Sequence, residues 1–385
     1  MVEWKPLGDI VKRNKGIPIT AAQMNELNSM DGNVRVFAAG QTKADIKDNL
    51  LPKGCVIKKP SIIIKSRGYI DFEFYDKPFT HKNEMWSYSF DDINLCKFIF
   101  YFLSTKTDEF RRKAKANSVK LPQLCVADTD HYNIPIPPLS EQNRIVGILD
   151  TFTESIENLK KQITERKKQY AYLIDEAFGG SLAEMKKKAE VGTIRIETLS
   201  SHGTFTRGRR FVRTDIIDNG QPCIHYGDMY TYYGLCADKA KTHLPYDFPK
   251  KMRYAKKGDV VIVAAGENNE DIGVGLVWQG EEPAAVHDAC FIYESDFEPM
   301  FLSYFLRSSI YHLQIKSKVV RGKICSISSD GIGKALIPIY PIDKQKEIVE
   351  KLYPYEKLFV NLQAQLELRQ KQYEYYRNML LTFDE

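Results

Sequence analysis

Two stretches of the chain carry core-spaced residues at a sustained alternation of four and three. The first runs through Ile145, Leu149, Phe152, Ile156, Leu159, Ile163, Arg166, Tyr170, Leu173 and Ala177. The second runs through Ile348, Leu352, Tyr355, Phe359, Leu362, Leu366, Arg369, Tyr373, Tyr376 and Leu380. A repeat averaging 3.5 residues predicts coiled-coil helices rather than helices lying on a globular core. Each seam is broken once by an arginine, Arg166 or Arg369, at the same heptad place. Ser140 and Asp343 suit N-caps directly after proline turns, and Gly179-Gly180 suits the end of the first helix. At 1.5 Å per residue the first helix spans ~58 Å. Pro354, where the first helix has Thr151, should kink or break the second, so that pairing begins near Tyr355. Two seams of one pattern predict that the helices pair with each other.

The same pattern exposes an internal repeat. IPIPPLSEQNRIVGIL (134–149) aligns without a gap on IPIYPIDKQKEIVEKL (337–352), at an offset of 203 residues. The frame continues downstream through Asn158/Asn361, Leu159/Leu362, Gln162/Gln365 and Arg166/Arg369, and through Lys-Gln-Tyr at 168–170 and 371–373. Upstream, FIFYFLST (98–105) stands opposite FLSYFLRS (301–308). The chain is therefore two copies of one unit: a globular domain, a proline-rich turn and a long helix. Between the shared stretches the copies diverge. KPSIIIKSRGYIDFEFY (59–75) and GDVVIVAAGENNEDIGVGLVW (258–278) occupy similar places, both reading as β-hairpins, yet share little sequence. One scaffold carries two different surfaces.

Charge and cysteine usage narrow the class. Residues 1–139 carry 21 Lys/Arg against 16 Asp/Glu, and residues 179–342 carry 21 against 19, while each helical stretch is −1. The positive excess sits on the globular parts, as a phosphate-binding surface requires. Seven cysteines, with no C-x-x-C pair, read as reduced core thiols rather than a disulfide or zinc framework. No apolar run reaches the ~20 residues of a membrane span, and no signal-peptide pattern opens the chain, so a cytoplasmic protein is expected.

Catalytic signatures are missing. Gly333-Lys334 is followed by Ala335, so there is no P-loop. No N/D-P-P-Y/F occurs, and GVGLVW (273–278) lacks the third glycine of a dinucleotide loop and reads as a strand turn. DFEFYDK (71–77) loosely matches a carboxylate–lysine nuclease cluster, but alternation puts Phe72 and Phe74 on one face and Asp71, Glu73 and Tyr75 on the other, as in a solvated strand edge.

The doubled pattern of a globular domain, I-P-x-P-P-L-x-E-Q-x-x-I-V and a long helix resembles the specificity subunits of type I restriction–modification enzymes. Ile134-Pro135-Ile136-Pro137-Pro138-Leu139-Ser140-Glu141-Gln142 matches closely, and WKPLGDI (4–10) is similar to the family's usual start. The second copy departs from the signature at Tyr340 and at Asp343-Lys344-Gln345. The resemblance covers essentially the whole chain. It implies an α+β fold: target-recognition domains over 1–139 and 180–342, each a twisted β-sheet with small helices, and long helices over 140–179 and 343–385 that pack as an antiparallel coiled-coil spacer. It also implies a non-catalytic subunit without cofactor or metal. Its partners would be double-stranded DNA, two methyltransferase subunits and two restriction subunits, which hold the S-adenosylmethionine and ATP, and no membrane. A self-contained DNA-modifying enzyme and a coiled-coil interaction scaffold are the rival classes.

Base reading needs forked donors and acceptors on loops, and phosphate contacts need Lys, Arg and small hydroxyls. In the first domain these requirements select Gln41 and Lys43 after Gly40, then Lys65, Ser66, Arg67 and Tyr69, then Asn117 and Lys120. In the second they select Arg207, Arg209 and Arg210 within TRGRRFVR (206–213), Tyr226 and Tyr230, Asn268 and Asn269 in GENNED (266–271), and Arg321 and Lys323. The basic runs Arg111-Arg112-Lys113 and Lys250-Lys251 read as solvated faces. Off-seam apolar residues Val146, Ile148, Tyr172 and Tyr375 suggest a second, exposed helix face for a protein partner.

Overall fold

The computed structural model describes residues 2–118, 120–248 and 251–383, so Lys250 of the second basic run lies outside the described residues. The chain divides into two units, residues 1–160 with 364–385 and residues 161–363. Each long helix gives one part to each unit.

In the first unit the strands are β1 (Glu3–Pro6), β2 (Arg13–Lys15), β3 (Val34–Phe37), β4 (Lys43–Ile46), β5 (Ser61–Lys65), β6 (Asp71–Tyr75), β7 (Phe79–His81), β8 (Trp86–Ser89) and β9 (Asn133–Ile136). They form a sheet of order β2-β8-β5-β6, a sheet of order β4-β3-β7 and the ribbon β1-β9. All of β5 is buried, which is why Ile62, Ile63 and Ile64 follow one another without alternation. Ile62 and Ile64 of β5 pack in one cluster with Phe98 and Phe102 of the helix Ile93–Thr105. Each such buried side chain contributes on the order of 1.5–3 kcal/mol.

In the second unit the strands are β10 (Arg195–Thr198), β11 (Gly203–Arg207), β12 (Gln221–Ile224), β13 (Cys236–Ala237), β14 (Thr242–Leu244), β15 (Tyr254–Ala255), β16 (Val260–Val263), β17 (Ala265–Gly266), β18 (Gly275–Trp278), β19 (Ala284–Val286), β20 (Cys290–Ser295), β21 (Cys325–Ser326) and β22 (Leu336–Ile339). The sheet order β11-β20-β16-β18 repeats β2-β8-β5-β6, with β13 added at its edge. The order β14-β12-β19 repeats β4-β3-β7, including one antiparallel and one parallel pairing. The ribbon β10-β22 repeats β1-β9. Leu199 follows β10 as Leu7 follows β1, and both are fully buried. The repeat thus reaches the start of the second copy, where sequence similarity had faded.

The long helices run from Leu139 to Ala177 and from Ile342 to Leu380. Each starts one residue before the expected caps Ser140 and Asp343. The first free amides bond instead to proline carbonyls, Glu141 and Gln142 to Pro138 O, and Lys344 and Gln345 to Pro341 O. Gln142 and Gln345, equivalent in the repeat and both buried, donate back to Pro137 O and Tyr340 O, each at 2.8 Å. That bond gives the motif's glutamine its structural role: it staples the proline turn to the first helical turn.

The helices pair antiparallel. In the first unit Phe152 stacks on Tyr376 with ring centroids 5.4 Å apart, and Arg369 lies 5.6 Å over the Phe152 ring. The seam's arginine is therefore used as a cation over an aromatic face. In the second unit Leu173 and Ala177 line one cleft with Ile348, Leu352 and Tyr355. Pairing begins before Pro354, and the second helix continues through it, contrary to the expected break. Both Pro354 and Glu350, whose carbonyl loses its amide partner, are exposed, so water can satisfy that carbonyl.

Two further expectations change. Val146 is not part of an exposed face but lies buried in the first unit's core, whereas Tyr172 and Tyr375 are exposed and Ile148 is half-buried. All seven cysteines are free thiols; Cys96, Cys223, Cys290 and Cys325 are buried, but Cys125 is exposed at the start of the helix Val126–Asp130.

Candidate nucleic-acid interface

In the first unit, two of the four candidate cations already hold a partner. Lys43 of β4 and Lys65 of β5 both bind Glu73 of β6, at 2.5 and 2.7 Å. Burial works against ionisation of Glu73, yet the two ammonium groups hold its carboxyl below the usual range. Glu73, on the edge strand β6, is half-buried rather than solvated, and Lys65 is buried, so neither Lys65 nor Ser66 presents itself to a ligand. Ser66 is spent on Glu84 O at 2.6 Å. Beside them Arg35 forks onto Asp45, directly opposite across β3 and β4, at 2.8 and 2.9 Å. Asn117 donates to Asp128. Gln41, Arg67, Tyr69 and Lys120 are exposed. Gly40 and Gly68, with φ of 72° and 75°, make the turns that carry Gln41 and the Arg67–Tyr69 pair. Tyr69 is covered by the Arg111 guanidinium at 5.4 Å, so that arginine is not a purely solvated charge.

The second unit brings three of its candidates, Arg210, Tyr226 and Tyr230, to two adjoining clefts. A cleft of about 520 Å³ is lined by Arg210, Arg213, Tyr226, Gly266, Glu267 and Asp288, among others. Tyr230 and Arg213 line an adjoining cleft. Three segments far apart in sequence thus meet: the loop after β11, the turn after β12 and the β17 loop.

The loop after β11 is pinned from below. Gly208 N donates to Cys290 O at 3.0 Å, Arg209 N to Val286 O at 2.9 Å and Val212 N to Asp215 Oδ2 at 2.8 Å. A Cβ at Gly208 would meet His287 O at 2.2 Å, so only glycine fits there. Phe211 is fully buried among Cys223, Leu244, Met252 and Ala285. Its carbonyl lies 3.0 Å from His287 Nε2. His287 Nδ1 accepts from Ala289 N at 3.0 Å, which leaves Nε2 as the protonated donor. Burial lowers the His287 pKa, and burial together with His287 brings His225 down to about 4. Both rings are therefore neutral near pH 7.

On this rigid base Arg209, Arg210 and Arg213 are exposed, and their guanidinium groups hold no partner among the described residues. Arg207 is different: its Nε donates to Asp288 O at 2.7 Å, and its carbonyl takes a bond from Arg253. Asn268 donates to Asp271 at 3.1 Å, and the Asn269 side-chain oxygen is buried with no partner among the described residues. Arg321 and Lys323 are exposed beside Ile324, which lines the cleft.

Sequence inspection passed over His225 and His287, two of seven scattered histidines. The parallel pairing of β12 with β19, Ile224 opposite Val286, places the next residue of each strand side by side. No local motif could reveal that. Among the described residues, no group of His, Cys, Asp or Glu is arranged to hold a metal, and no helix is long and apolar enough to cross a membrane.

The chain is similar to known proteins over its whole length. The family model described as "Type I restriction modification DNA specificity domain" matches residues 1–166. A type I restriction enzyme specificity subunit of Escherichia coli is 25% identical over 404 residues, covering 99% of this chain and 94% of that protein. A Mycoplasma pneumoniae protein named as the C-terminus of a type I specificity subunit is 30% identical over 120 residues, 30% of this chain and 79% of its own. The fold matches the crystal structure of a type I restriction–modification S subunit from M. genitalium with a TM-score of 0.65, at 16% identity, over 100% of this chain and 97% of the other.

Proposed function

The chain belongs to the specificity subunits of type I restriction–modification enzymes, and on that premise we propose that it is a non-catalytic cytoplasmic subunit that reads a bipartite, asymmetric DNA target. The globular parts, 1–139 and 180–342, are its target-recognition domains; the helices, 140–179 and 343–385, carry its protein partners. Two methyltransferase subunits and two restriction subunits would supply the chemistry. The observation that carries this reading is the pairing of one repeated topology with two unlike surfaces. Two different surfaces on one scaffold are suited to two different half-sites.

Co-expression with the cognate methyltransferase subunit, followed by methylation mapping, tests it. Two unlike short half-sites around an unread spacer are expected. A single continuous palindrome, or no sequence preference, would overturn it. Charge substitution at Tyr172 should weaken co-purification with the methyltransferase while leaving the chain folded. Removal of one heptad from each helix, for example 159–165 and 362–368, shortens each helix by ~10.5 Å. Methylation at the native spacing should then be lost; an unchanged spacer preference would mean that helix length does not set the distance.

A further inference from the structure

The cleft beside the pinned arginine loop carries both signs of charge. Arg210, Arg213, Glu267 and Asp288 all line it, with Asp288 Oδ1 3.2 Å from His287 Nδ1. Glu267 is exposed and has no partner among the described residues. A phosphate pocket would not present an unpaired carboxylate such as Glu267 to an anion. A G·C base pair presents the complementary pattern in the major groove: O6 and N7 acceptors on guanine and an N4 amino donor on cytosine. Arginine's planar fork meets the first, and a carboxylate meets the second.

The loop geometry supports base reading over loose charge attraction. Phe211 stands between the two arginines and is fully buried, and the backbone on either side of it is tied at Arg209 and Val212. Little backbone order then has to be gained on binding, so more of each arginine's contact energy goes into discrimination. His287 holds the loop through Phe211 O and so is a positioning residue rather than a contact.

We infer that this cleft of the second domain reads a G·C base pair, the Arg210/Arg213 pair supplying the fork to guanine and Glu267 accepting from the paired cytosine. The inference rests on the DNA-reading function proposed above and adds to it the base pair and the residues that select it.

The test is methylation mapping of the chain co-expressed with its methyltransferase subunit, as wild type and as Arg210→Gln, Arg210→Lys, Arg213→Gln, Arg213→Lys and Glu267→Gln. In the wild type, one half-site should require guanine at a position read by this domain. For at least one arginine, both the Gln and the Lys variant should lose roughly tenfold to a hundredfold of that preference, with Gln moving it toward adenine. The other half-site should be unchanged. Glu267→Gln should relax the same position. Lysine keeps the charge but not the fork, so a Lys variant that behaves as wild type while Gln methylates all sites less would show phosphate contact and overturn the inference. So would a guanine requirement that survives in all five variants. A wild type with no bipartite preference would instead overturn the proposed function itself, so the two failures are distinguishable.

Discussion

The two globular parts share a strand order but differ in how they hold several of their cations. In the first, Lys43 and Lys65 share Glu73, and Arg35 is locked to Asp45. In the second, Arg209, Arg210 and Arg213 have no partner among the described residues and stand on a loop fixed by buried Phe211 and His287. An ion-paired lysine must surrender its partner before it can serve DNA, whereas an unpaired arginine on a fixed loop must not. Net charge is thus a poor guide to which cations of a repeated scaffold are already paired. The first domain has the larger positive excess, yet Lys43 and Lys65 are spent on Glu73, which leaves Arg67 and Lys120 as its exposed candidates.

The comparison can be broken most forcefully at Phe211. Phe211→Ala empties the buried anchor of the loop and should cost about 3–5 kcal/mol. Hydrogen exchange should show the loss around β12 and β19, with the first unit's β5 protection unchanged. Loss shared equally by both units would deny the loop its separate anchor.

The first domain's counterpart is Glu73. Glu73→Gln strands the buried Lys65 charge and, with Glu73 only half-buried, should destabilise by about 3 kcal/mol in denaturant titration. The double variant Lys65→Met with Glu73→Leu should recover most of that loss, because removing both charges also removes their desolvation cost. A single variant as stable as wild type would mean that Lys65 reaches solvent.

Acid should act more on the second unit. His225 and His287 have pKa values lowered in the folded state, His225 to about 4. The unfolded chain binds protons at these sites from about pH 6.5 downward, while the folded chain resists. Their contribution to stability is therefore present at pH 7 and falls as pH drops from about 6.5 toward about 4. Buried His81 adds a smaller effect of the same sign to the first unit. Hydrogen exchange at pH 7 and 5 should show the loop after β11 opening first, and equal opening of the two units would contradict the assignment.

The smallest expected effect concerns salt. Arg209 is exposed and unpaired and does not line the cleft, which suits a phosphate contact. Arg209→Gln should weaken DNA binding by the assembled complex at all sequences and reduce the log–log salt slope by about one. Lys43→Gln should change that slope less, because Glu73 already neutralises Lys43. Equal slopes for the two variants would erase the distinction between paired and free cations.

What the chain determined by itself were the features carried by period and spacing. The 3.5-residue seams specified two long helices, because side chains recurring at that spacing fall on one stripe whatever surrounds them. The gapless frame between 134–149 and 337–352 specified two copies of one unit. The candidate loops were visible as polar breaks in apolar runs. Only the tertiary structure decided which candidates remain available. Lys65 lies on a strand buried on both faces, and its neighbour across the hairpin supplies Glu73. The arginine cleft depends on a parallel pairing of β12 with β19, strands some sixty residues apart, and on their register. Pro354 stayed helical because its orphaned carbonyl belongs to an exposed residue, an orientation the heptad pattern does not encode. Periodicity records which face of an element is apolar; partners across a sheet are set by register between distant strands, which leaves no local trace in sequence.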